Sequence, residues 1–178
     1  MNKSIYANYE NLQQKIIKLA ANIRLLICDV DGVLSNGLLY IGNKGEELKA
    51  FHAHDGYGIH SLKNCGIEVA IITAGSTQLV ADRAKMLKIT HIYQGQKDKR
   101  IAYKKLLTIL NCKSTEVAYI GDDLLDWPVM KEVGLSVAVA NAHPTLLANA
   151  HYTTRLAGGY GAVRELCDLI LFANNKLK

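Results

Sequence analysis

The chain has 178 residues, of which 49% are apolar and 21% charged, and its formal net charge is +5. This composition excludes a disordered chain and indicates one domain with a hydrophobic core, over residues 1–178. No apolar run reaches the roughly 18–20 residues that a membrane helix needs, and the polar amino terminus lacks the apolar centre of a signal peptide. We therefore expect a cytoplasmic protein without a membrane partner. The densest basic stretch, residues 97–105, matches no nucleic-acid-binding motif, so we expect no nucleic-acid partner either.

The first predicted elements are an amphipathic helix, a short buried strand and a hairpin. Within residues 8–23, apolar residues recur at spacings of four, three and four, which is typical of a helix with one buried face (Leu12, Ile16, Leu19, Ile23). The strand RLLIC follows at residues 24–28. Two β-prone runs then flank Gly-Asn-Lys-Gly within residues 37–51, which predicts a β-hairpin inserted after the first strand.

From residue 55 onward, strands and helices alternate. Asp55 is expected to cap a helix from about Gly56 to Asn64, and Gly66 to end it. The later strands are predicted at residues 68–73, 91–95, 117–121 and 135–140. Between and after them we expect a helix to about Lys88, a helix that buries Tyr103, Leu106, Leu107 and Leu110, a short helix at 127–134 and a last helix at 162–173. This alternation predicts an α/β fold, a Rossmann-like parallel sheet with helices on both faces.

Polar side chains follow four of the predicted strands. They are Asp29 and Asp31, then Thr73, then Lys97 and Lys99, and finally Asp122, Asp123 and Asp126. Because ligands of open α/β sheets bind at the carboxyl ends of the strands, we expect these side chains at one edge. Clustered carboxylates repel one another unless a cation joins them, and oxygen ligands suit Mg²⁺, which often shares substrate phosphate. The pattern predicts a magnesium site beside a hydroxyl and an ammonium that hold phosphate.

Each of these signals has a simpler interpretation when it is taken alone. Asp-Gly is a common turn pair, and Gly-Asp-Asp can cap a helix. Thr73 alone fits an ordinary strand residue, and Lys99 alone fits a surface charge. Their joint occurrence, in this order at one sheet edge, favours a functional site.

Four segments together resemble the haloacid dehalogenase superfamily of aspartyl phosphotransferases. They are DVDGVLS (29–35), IIT (71–73), KDK (97–99) and GDDLLD (121–126). Within the superfamily, five longer segments resemble the 3-deoxy-D-manno-octulosonate (KDO) 8-phosphate phosphatases. They are GEELKAFHAHDGYGI, YQGQKDK, VAYIGDDLLDWPVM, VGLSVAVANAHP and GGYGAVRELCDLIL. This resemblance covers about residues 20–172.

The resemblance implies a magnesium-dependent phosphatase that cleaves KDO 8-phosphate in lipopolysaccharide precursor synthesis. Its nucleophile would be Asp29, which forms an aspartyl-phosphate, and its general acid/base would be Asp31. The other implied roles are metal ligation by Asp29, the backbone carbonyl of Asp31 and Asp122, phosphoryl binding by Thr73 and Lys99, and support by Asp123 and Asp126.

The spacing of the first two motifs bears on how the site is closed. Many members of the superfamily carry a large cap domain there, but only 42 positions separate Asp31 from Thr73. The hairpin and one helix fill them, so we expect a capless fold. In the resembling family the hairpin assembles a homotetramer whose neighbouring subunit helps to close the site, which implies that role for residues 37–51. The alternative is a free-standing flap.

Two short stretches depart from the family's pattern. After the motif threonine the family usually reads Gly-Arg, whereas Ala74 and Gly75 follow here, which bears on the choice of sugar acid rather than on the chemistry. Where relatives often have Asn-x-Arg-Asp-Gly, this chain has two histidines, His52 and His54. They could form a second metal site, contact the substrate, or end a solvated strand. The candidate substrate contacts are His54, Asp55, Gly75, Arg155 and Arg164, with either arginine available to a substrate carboxylate.

Three other functions fit parts of this pattern. A phosphatase for another sugar acid, such as a sialic-acid-type 9-phosphate, would use the same residues. A receiver-type signalling domain also gathers acidic residues, magnesium, threonine and lysine at a sheet edge, but its accepting aspartate follows a later strand than Asp29 does here. A scaffold that has lost turnover would not need Asp29, Asp31, Thr73, Lys99 and Asp122.

Overall fold

The structure, a computed structural model, describes residues 14–177. Its helices and strands in chain order are α1 (Gln14–Ala21), β1 (Leu25–Cys28), β2 (Tyr40–Ile41), β3 (Glu47–Leu48), α2 (Ala53–Asn64), β4 (Glu68–Ile72), α3 (Gln78–Met86), β5 (His91–Tyr93), α4 (Lys99–Ile109), β6 (Val117–Gly121), α5 (Trp127–Met130), β7 (Leu135–Ala138), α6 (Pro144–Asn149), β8 (Tyr152–Thr153) and α7 (Ala162–Ala173).

Six parallel strands form the central sheet, in the order β5-β4-β1-β6-β7-β8. Every residue of β1, β6 and β7 is buried, because helices cover the sheet on both faces. Helices α1 and α2 pack against α7, and α4 packs against α5. The predicted α/β fold class is thereby confirmed.

The order of the strands places a crevice at the centre of the sheet. From β1 the chain adds β4 and β5 on one side, and then returns to add β6, β7 and β8 on the other. In sheets of this kind the ligand site lies where the direction of winding reverses, outside the carboxyl ends of the strands. That point lies here between β1 and β6, which carry the predicted acidic residues.

The predicted hairpin is present as an antiparallel pair, β2 and β3, in which Tyr40 opposes Leu48. Each strand has only two residues, so the regular part is shorter than the β-prone runs of the sequence. Its apolar side chains are largely exposed: Leu39 is 65%, Ile41 72% and Leu48 69% exposed. Between β1 and β4 the structure has only a turn, this hairpin and α2, so the fold is capless as predicted.

The prediction that Asp55 caps α2 is wrong. The helix begins three residues earlier than predicted, at Ala53, and Nδ1 of His52 accepts a hydrogen bond from the backbone N–H of His54 at 3.2 Å. Asp55 lies in the first turn and is 1% exposed. Its Oδ1 accepts a hydrogen bond from the backbone N–H of Arg164 at 2.7 Å, so Asp55 satisfies the start of α7 instead.

Other differences from the predicted elements are local. The helix expected over residues 8–23 is described as Gln14–Ala21, and Leu12 lies outside the described residues. Helix α5 ends at Met130, short of residue 134, and Leu107 and Leu110 of the α4 segment are half-buried rather than buried. Elements α6 and β8 were not predicted. Over residues 14–177, no helix has both the length and the apolar character to cross a bilayer.

Candidate active site

Asp29 directly precedes a wide turn, Val30–Leu34, which contains Asp31. The N–H of Ser35 closes this turn by donating to the carbonyl of Val30 at 2.9 Å. Gly32 in this turn has a φ of +88°. A Cβ at this position would lie 2.0 Å from Oδ2 of Asp122. The backbone conformation therefore favours glycine, and the absence of a side chain lets the carboxylate after β6 approach the turn after β1.

A buried lysine joins carboxylates from two strands. Lys99, the first residue of α4, is 3% exposed, and its Nζ donates to Oδ1 of Asp29 and to Oδ1 of Asp126, each at 2.6 Å. Both oxygens of Asp126 are occupied, because Oδ1 also accepts from the hydroxyl of Tyr119 at 2.6 Å, and Oδ2 accepts from the N–H of Asp122 at 3.0 Å. Asp126 is therefore a structural anchor for Lys99 and for the loop after β6.

The surroundings of these groups shift their protonation. Burial raises the pKa of Asp29, and the nearby Asp126 carboxylate raises it further, while the Lys99 ammonium acts in the opposite direction. Burial, then repulsion by Asp126 and Asp123, raises the pKa of Asp122 to about 7. Burial lowers the pKa of Lys99, but its two carboxylate partners outweigh it and the pKa lies above its usual value. The site therefore holds more negative charge than one lysine balances.

This donor set fits a hard divalent cation. One carboxylate oxygen from each of Asp29, Asp122 and Asp126 lies within 4.8 Å of the others. Oxygen ligands of this kind suit Mg²⁺, which needs only one or two carboxylates from the protein. Since both oxygens of Asp126 already accept hydrogen bonds, Asp29 and Asp122 are the carboxylates best placed to hold the ion.

One cavity of about 170 Å³ gathers most of the predicted site. It is lined by Asp29, Asp31, Thr73, Ala74, Gly75, Lys99, Asp122, Asp123, Leu125 and Asp126. Thr73 is buried, and its Oγ1 accepts a hydrogen bond from the N–H of Gly75 at 3.3 Å. Carboxylates, a hydroxyl and an ammonium thus face one space at the carboxyl ends of the strands, as an anionic phosphoester with a metal ion would require.

The remaining predicted contacts lie elsewhere. His54, Arg155 and Arg164 line a second cavity of about 180 Å³, which shares no lining residue with the first. Arg155 pairs with Glu165 at 3.4 Å. Nε of Arg164 donates to both oxygens of Asp168, at 2.7 and 2.8 Å. Their contact with substrate therefore stays a prediction, as does that of the buried Asp55.

Within residues 14–177, His52 and His54 do not belong to a larger cluster of metal-ligating residues. Their rings meet edge to face, with centroids 4.8 Å apart. Over residues 14–177, one group of three or more His, Cys, Asp or Glu side chains is close enough to share a metal ion. It is formed by Asp29, Asp122 and Asp126. The interpretation of His52 and His54 as a second metal site gains no third ligand from the described part of the chain.

Two residues that contact the site, Tyr119 and Lys49, were not predicted from the sequence. Tyr119 reads as a core residue of β6, although a buried tyrosine hydroxyl needs a partner and this could have pointed to Asp126. Lys49 donates from the hairpin to Oδ1 of Asp31, 18 positions away. No local pattern in the sequence signals that contact.

Comparison with known proteins gives a consistent set of relatives. Residues 86–165 match the family of haloacid dehalogenase-like hydrolases. The chain is 63% identical over 170 residues to the 3-deoxy-D-manno-octulosonate 8-phosphate phosphatase of Yersinia pestis, covering 96% of this chain and 91% of that protein. The crystal structure of the Yersinia pestis phosphatase has a TM-score of 0.93 at 64% identity, and the match covers 93% of this chain and 90% of the other.

A more distant structure carries ligands. It is the corresponding phosphatase from Moraxella catarrhalis, solved in complex with a magnesium ion, a phosphate ion and a KDO molecule. Its TM-score is 0.91 at 43% identity, and the match covers 93% of this chain and 95% of that one. Similarity in sequence and in fold therefore extends over almost the whole length of these proteins.

Proposed function

The chain belongs to the haloacid dehalogenase superfamily, in the branch of the KDO 8-phosphate phosphatases, and we propose that it hydrolyses KDO 8-phosphate to KDO and phosphate with Mg²⁺ as its cofactor. The observation that carries the proposal is that one cavity, at the carboxyl ends of β1, β4 and β6, is lined by both Asp31 and Asp29, which is paired with Lys99. A carboxylate nucleophile, a second carboxyl group and a fixed ammonium are the parts that an aspartyl-phosphate mechanism needs.

The proposed reaction has two displacements. In the first, a carboxylate oxygen of Asp29 bonds to phosphorus while the bond to the sugar oxygen breaks, and Asp31 gives that oxygen its proton. In the second, Asp31 takes a proton from water, the water oxygen bonds to phosphorus, and the bond to Asp29 breaks, which releases phosphate and restores both carboxyl groups. Lys99 and Thr73 hold the phosphoryl oxygens through both displacements.

The metal has a defined place in this scheme. Asp29, Asp122 and the backbone carbonyl of Asp31 would hold Mg²⁺, with Asp123 and Asp126 in support. When bound, the ion supplies positive charge that lets a phosphate dianion enter a site rich in carboxylates. The hydrogen bonds that occupy both oxygens of Asp126 support its assignment as an anchor rather than a ligand.

We also propose that the chain self-associates through the hairpin as a homotetramer. Leu39, Ile41 and Leu48 are more than 60% exposed on a hairpin with two-residue strands. An isolated hairpin of this kind is marginal in water, and its exposed apolar side chains favour burial against another surface. A second copy of the hairpin offers a patch of the same chemistry.

Sedimentation analysis tests the assembly. We expect a tetramer for the unchanged chain and a smaller species for Ile41→Asp, with Lys44→Asp at the polar turn as the control for added charge. A monomer at all protein concentrations would contradict the assembly and favour the free-standing flap. We further propose that the protein acts as one phosphatase domain over residues 1–178 in the cytoplasm, because a sugar acid phosphate, with a charged phosphate and a charged carboxylate, does not cross a membrane unaided.

Phosphate release tests the function. Purified protein with Mg²⁺ would be given KDO 8-phosphate, a sialic-acid 9-phosphate and simple sugar phosphates. We expect fast release from KDO 8-phosphate and a loss of about 10⁴-fold or more in Asp29→Asn, which keeps the shape of the side chain but removes the nucleophile. Asp82→Asn, the same change on the exposed face of α3, is the matched control and should retain full activity.

The other outcomes discriminate between the alternatives. Release from the sialic-acid phosphate alone would keep the mechanism and assign the change of substrate to Ala74 and Gly75. No release from any phosphoester would contradict the proposal. A stable phosphoryl group on Asp29 would then indicate a receiver-type domain, and its absence would indicate a scaffold.

A further inference from the structure

We propose that Lys49 is a positioning residue for the general acid/base: it holds one carboxylate oxygen of Asp31 so that the other oxygen faces the cavity. The inference rests on the proposed function, since it gives Lys49 a part in the proton transfers assigned to Asp31. It also gives the hairpin a part in the chemistry, in addition to its exposed apolar surface.

The contact joins a buried cation to a half-exposed carboxylate. Nζ of Lys49 donates to Oδ1 of Asp31, and the Lys49 side chain is 2% exposed while that of Asp31 is 38% exposed. Nζ also lies 3.6 Å from Oε1 of Glu47, two positions earlier in the same arm of the hairpin. A lysine side chain usually remains in water, so the burial of this one shows that the hairpin directs it toward the catalytic loop.

The two oxygens of Asp31 have different surroundings. Oδ1 accepts from Lys49 and, at 3.4 Å, from the hydroxyl of Ser35 at the end of the same turn. Oδ2 points across the cavity, because a Cβ at Gly75 would lie 3.3 Å from it and 3.9 Å from Oγ1 of Thr73. One oxygen is therefore fixed by the protein, and the other faces the space where the phosphoryl group binds.

Fixing one oxygen matters because a half-exposed aspartate can rotate about two side-chain torsions. A charge-assisted hydrogen bond from a buried ammonium restricts that rotation. The proton leaves from Oδ2 and returns to it. A shift of about 1 Å in the position of this atom would therefore slow both steps of the reaction, by up to about 10²-fold.

The two duties of Asp31 provide a specific test. A sugar oxygen needs a proton in order to leave, whereas p-nitrophenolate leaves without one. With p-nitrophenyl phosphate, misplacing Asp31 should therefore spare the formation of the aspartyl-phosphate and slow its hydrolysis. The phosphorylated enzyme then accumulates, and rapid mixing records a burst of p-nitrophenolate.

The experiment compares Lys49→Met and Lys49→Arg in the full-length, magnesium-loaded protein. For Lys49→Met we expect kcat on KDO 8-phosphate to fall about 10- to 100-fold with KM changed less than about threefold, and p-nitrophenyl phosphate to give a burst of about one product per active site. Lys49→Arg, which keeps the charge and the reach, should recover most of kcat. Lys44→Met, at the exposed turn of the same hairpin, is the matched control and should match the unchanged protein.

Several results would overturn the assignment. They are a kcat of Lys49→Met within twofold of the unchanged protein, a higher KM at constant kcat, a loss of kcat without the burst, or an equal loss in Lys44→Met. Sedimentation of each variant separates lost assembly from a misplaced carboxylate. If the unchanged protein hydrolyses p-nitrophenyl phosphate but not KDO 8-phosphate, the proposed substrate fails while the assignment of Lys49 is still decided by the burst.

Discussion

Asp29 and Asp31 are two positions apart, and each meets a lysine, but the two lysines come from different regions of the molecule. Asp29 is paired with Lys99 at the start of α4, and both side chains are almost fully buried at the centre of the sheet. Asp31 is paired with Lys49 from the hairpin, and its side chain is 38% exposed. One pair belongs to the rigid core and the other to a peripheral insertion.

This difference in burial and support corresponds to two different requirements of the proposed reaction. The proposed nucleophile, Asp29, must hold its place against phosphorus, and the parallel ladder of β1 with β4 and β6 fixes the backbone that carries it. The proposed acid/base group, Asp31, must reach the leaving oxygen and then water, so it needs contact with solvent. Its support then comes from a segment with little regular structure, where local opening has a lower free-energy cost.

The largest expected effect comes from breaking the buried pair. Lys99→Met would leave Asp29 and Asp126 buried without their cation, and removing one partner of a buried ion pair destabilises a protein by about 3–5 kcal/mol. Urea unfolding in the absence of magnesium should show this loss. Phosphate release should fall by about 10²- to 10³-fold, since a fixed positive charge at the phosphoryl group is lost.

Two variants make that prediction specific. Lys97→Met, two positions away and exposed, should change neither stability nor activity. Adding Asp126→Asn to Lys99→Met should recover part of the lost stability, because one of the two unpaired carboxylates is neutralised. If Lys99→Met is as stable as the unchanged protein, the pairing does not contribute in the way described.

A smaller effect is expected from pH. Asp122 binds its proton more tightly in the folded protein, with a pKa of about 7 against 3.8 for the free side chain. Its contribution to stability is therefore full below about pH 4 and is lost as the pH rises toward 7. With EDTA, we expect the Tm to fall by several degrees from pH 5 to pH 8, whereas Mg²⁺ should raise the Tm more at pH 8 than at pH 5.

Asp122→Asn is the control for this titration. It should flatten the fall of Tm with pH in EDTA and remove most of the stabilisation by Mg²⁺. A metal-free Tm that rises between pH 5 and pH 8 in the unchanged protein would show that carboxyl protonation at this site does not dominate.

The smallest expected effect comes from a substitution beside Asp31. In Gly75→Ala the new Cβ would lie 3.3 Å from Oδ2 of Asp31, so the carboxylate must move by a few tenths of an ångström. We expect kcat on KDO 8-phosphate to fall about threefold, with unchanged thermal stability and an unchanged rate of p-nitrophenolate release in the first turnover. An equal decrease in that first turnover would place the disturbance at Asp29 instead.

The sequence predicts best what depends on strand ends. Apolar runs bounded by carboxylates located β1 and β6, and because parallel strands end at one edge, the meeting of Asp29 with Asp122 followed from the fold class. The hairpin was predicted from its turn residues. Two-residue β8 carries no alternation that could signal a strand, and its pairing depends on β7 already being in place.

Contacts across the fold were beyond the sequence patterns. Nothing local indicates that Lys49 folds back onto Asp31, because the path of a hairpin outside its sheet is set by packing. Asp55 reads as a cap for its own helix, yet it satisfies the N–H of Arg164, 109 positions away. The family resemblance placed His54 and Arg164 near the substrate, while the structure gives them a cavity of their own.

The close approach of Gly32 to Asp122 also limits how such a sequence can evolve. Asparagine tolerates a positive φ, so backbone conformation alone would permit it at position 32. The space does not, because a Cβ there would lie 2.0 Å from the carboxylate. A side chain at position 32 would force the Asp122 carboxylate to move, and this would displace a proposed magnesium ligand. A substitution at position 32 therefore has a direct effect at position 122, although the two positions are ninety residues apart in the sequence.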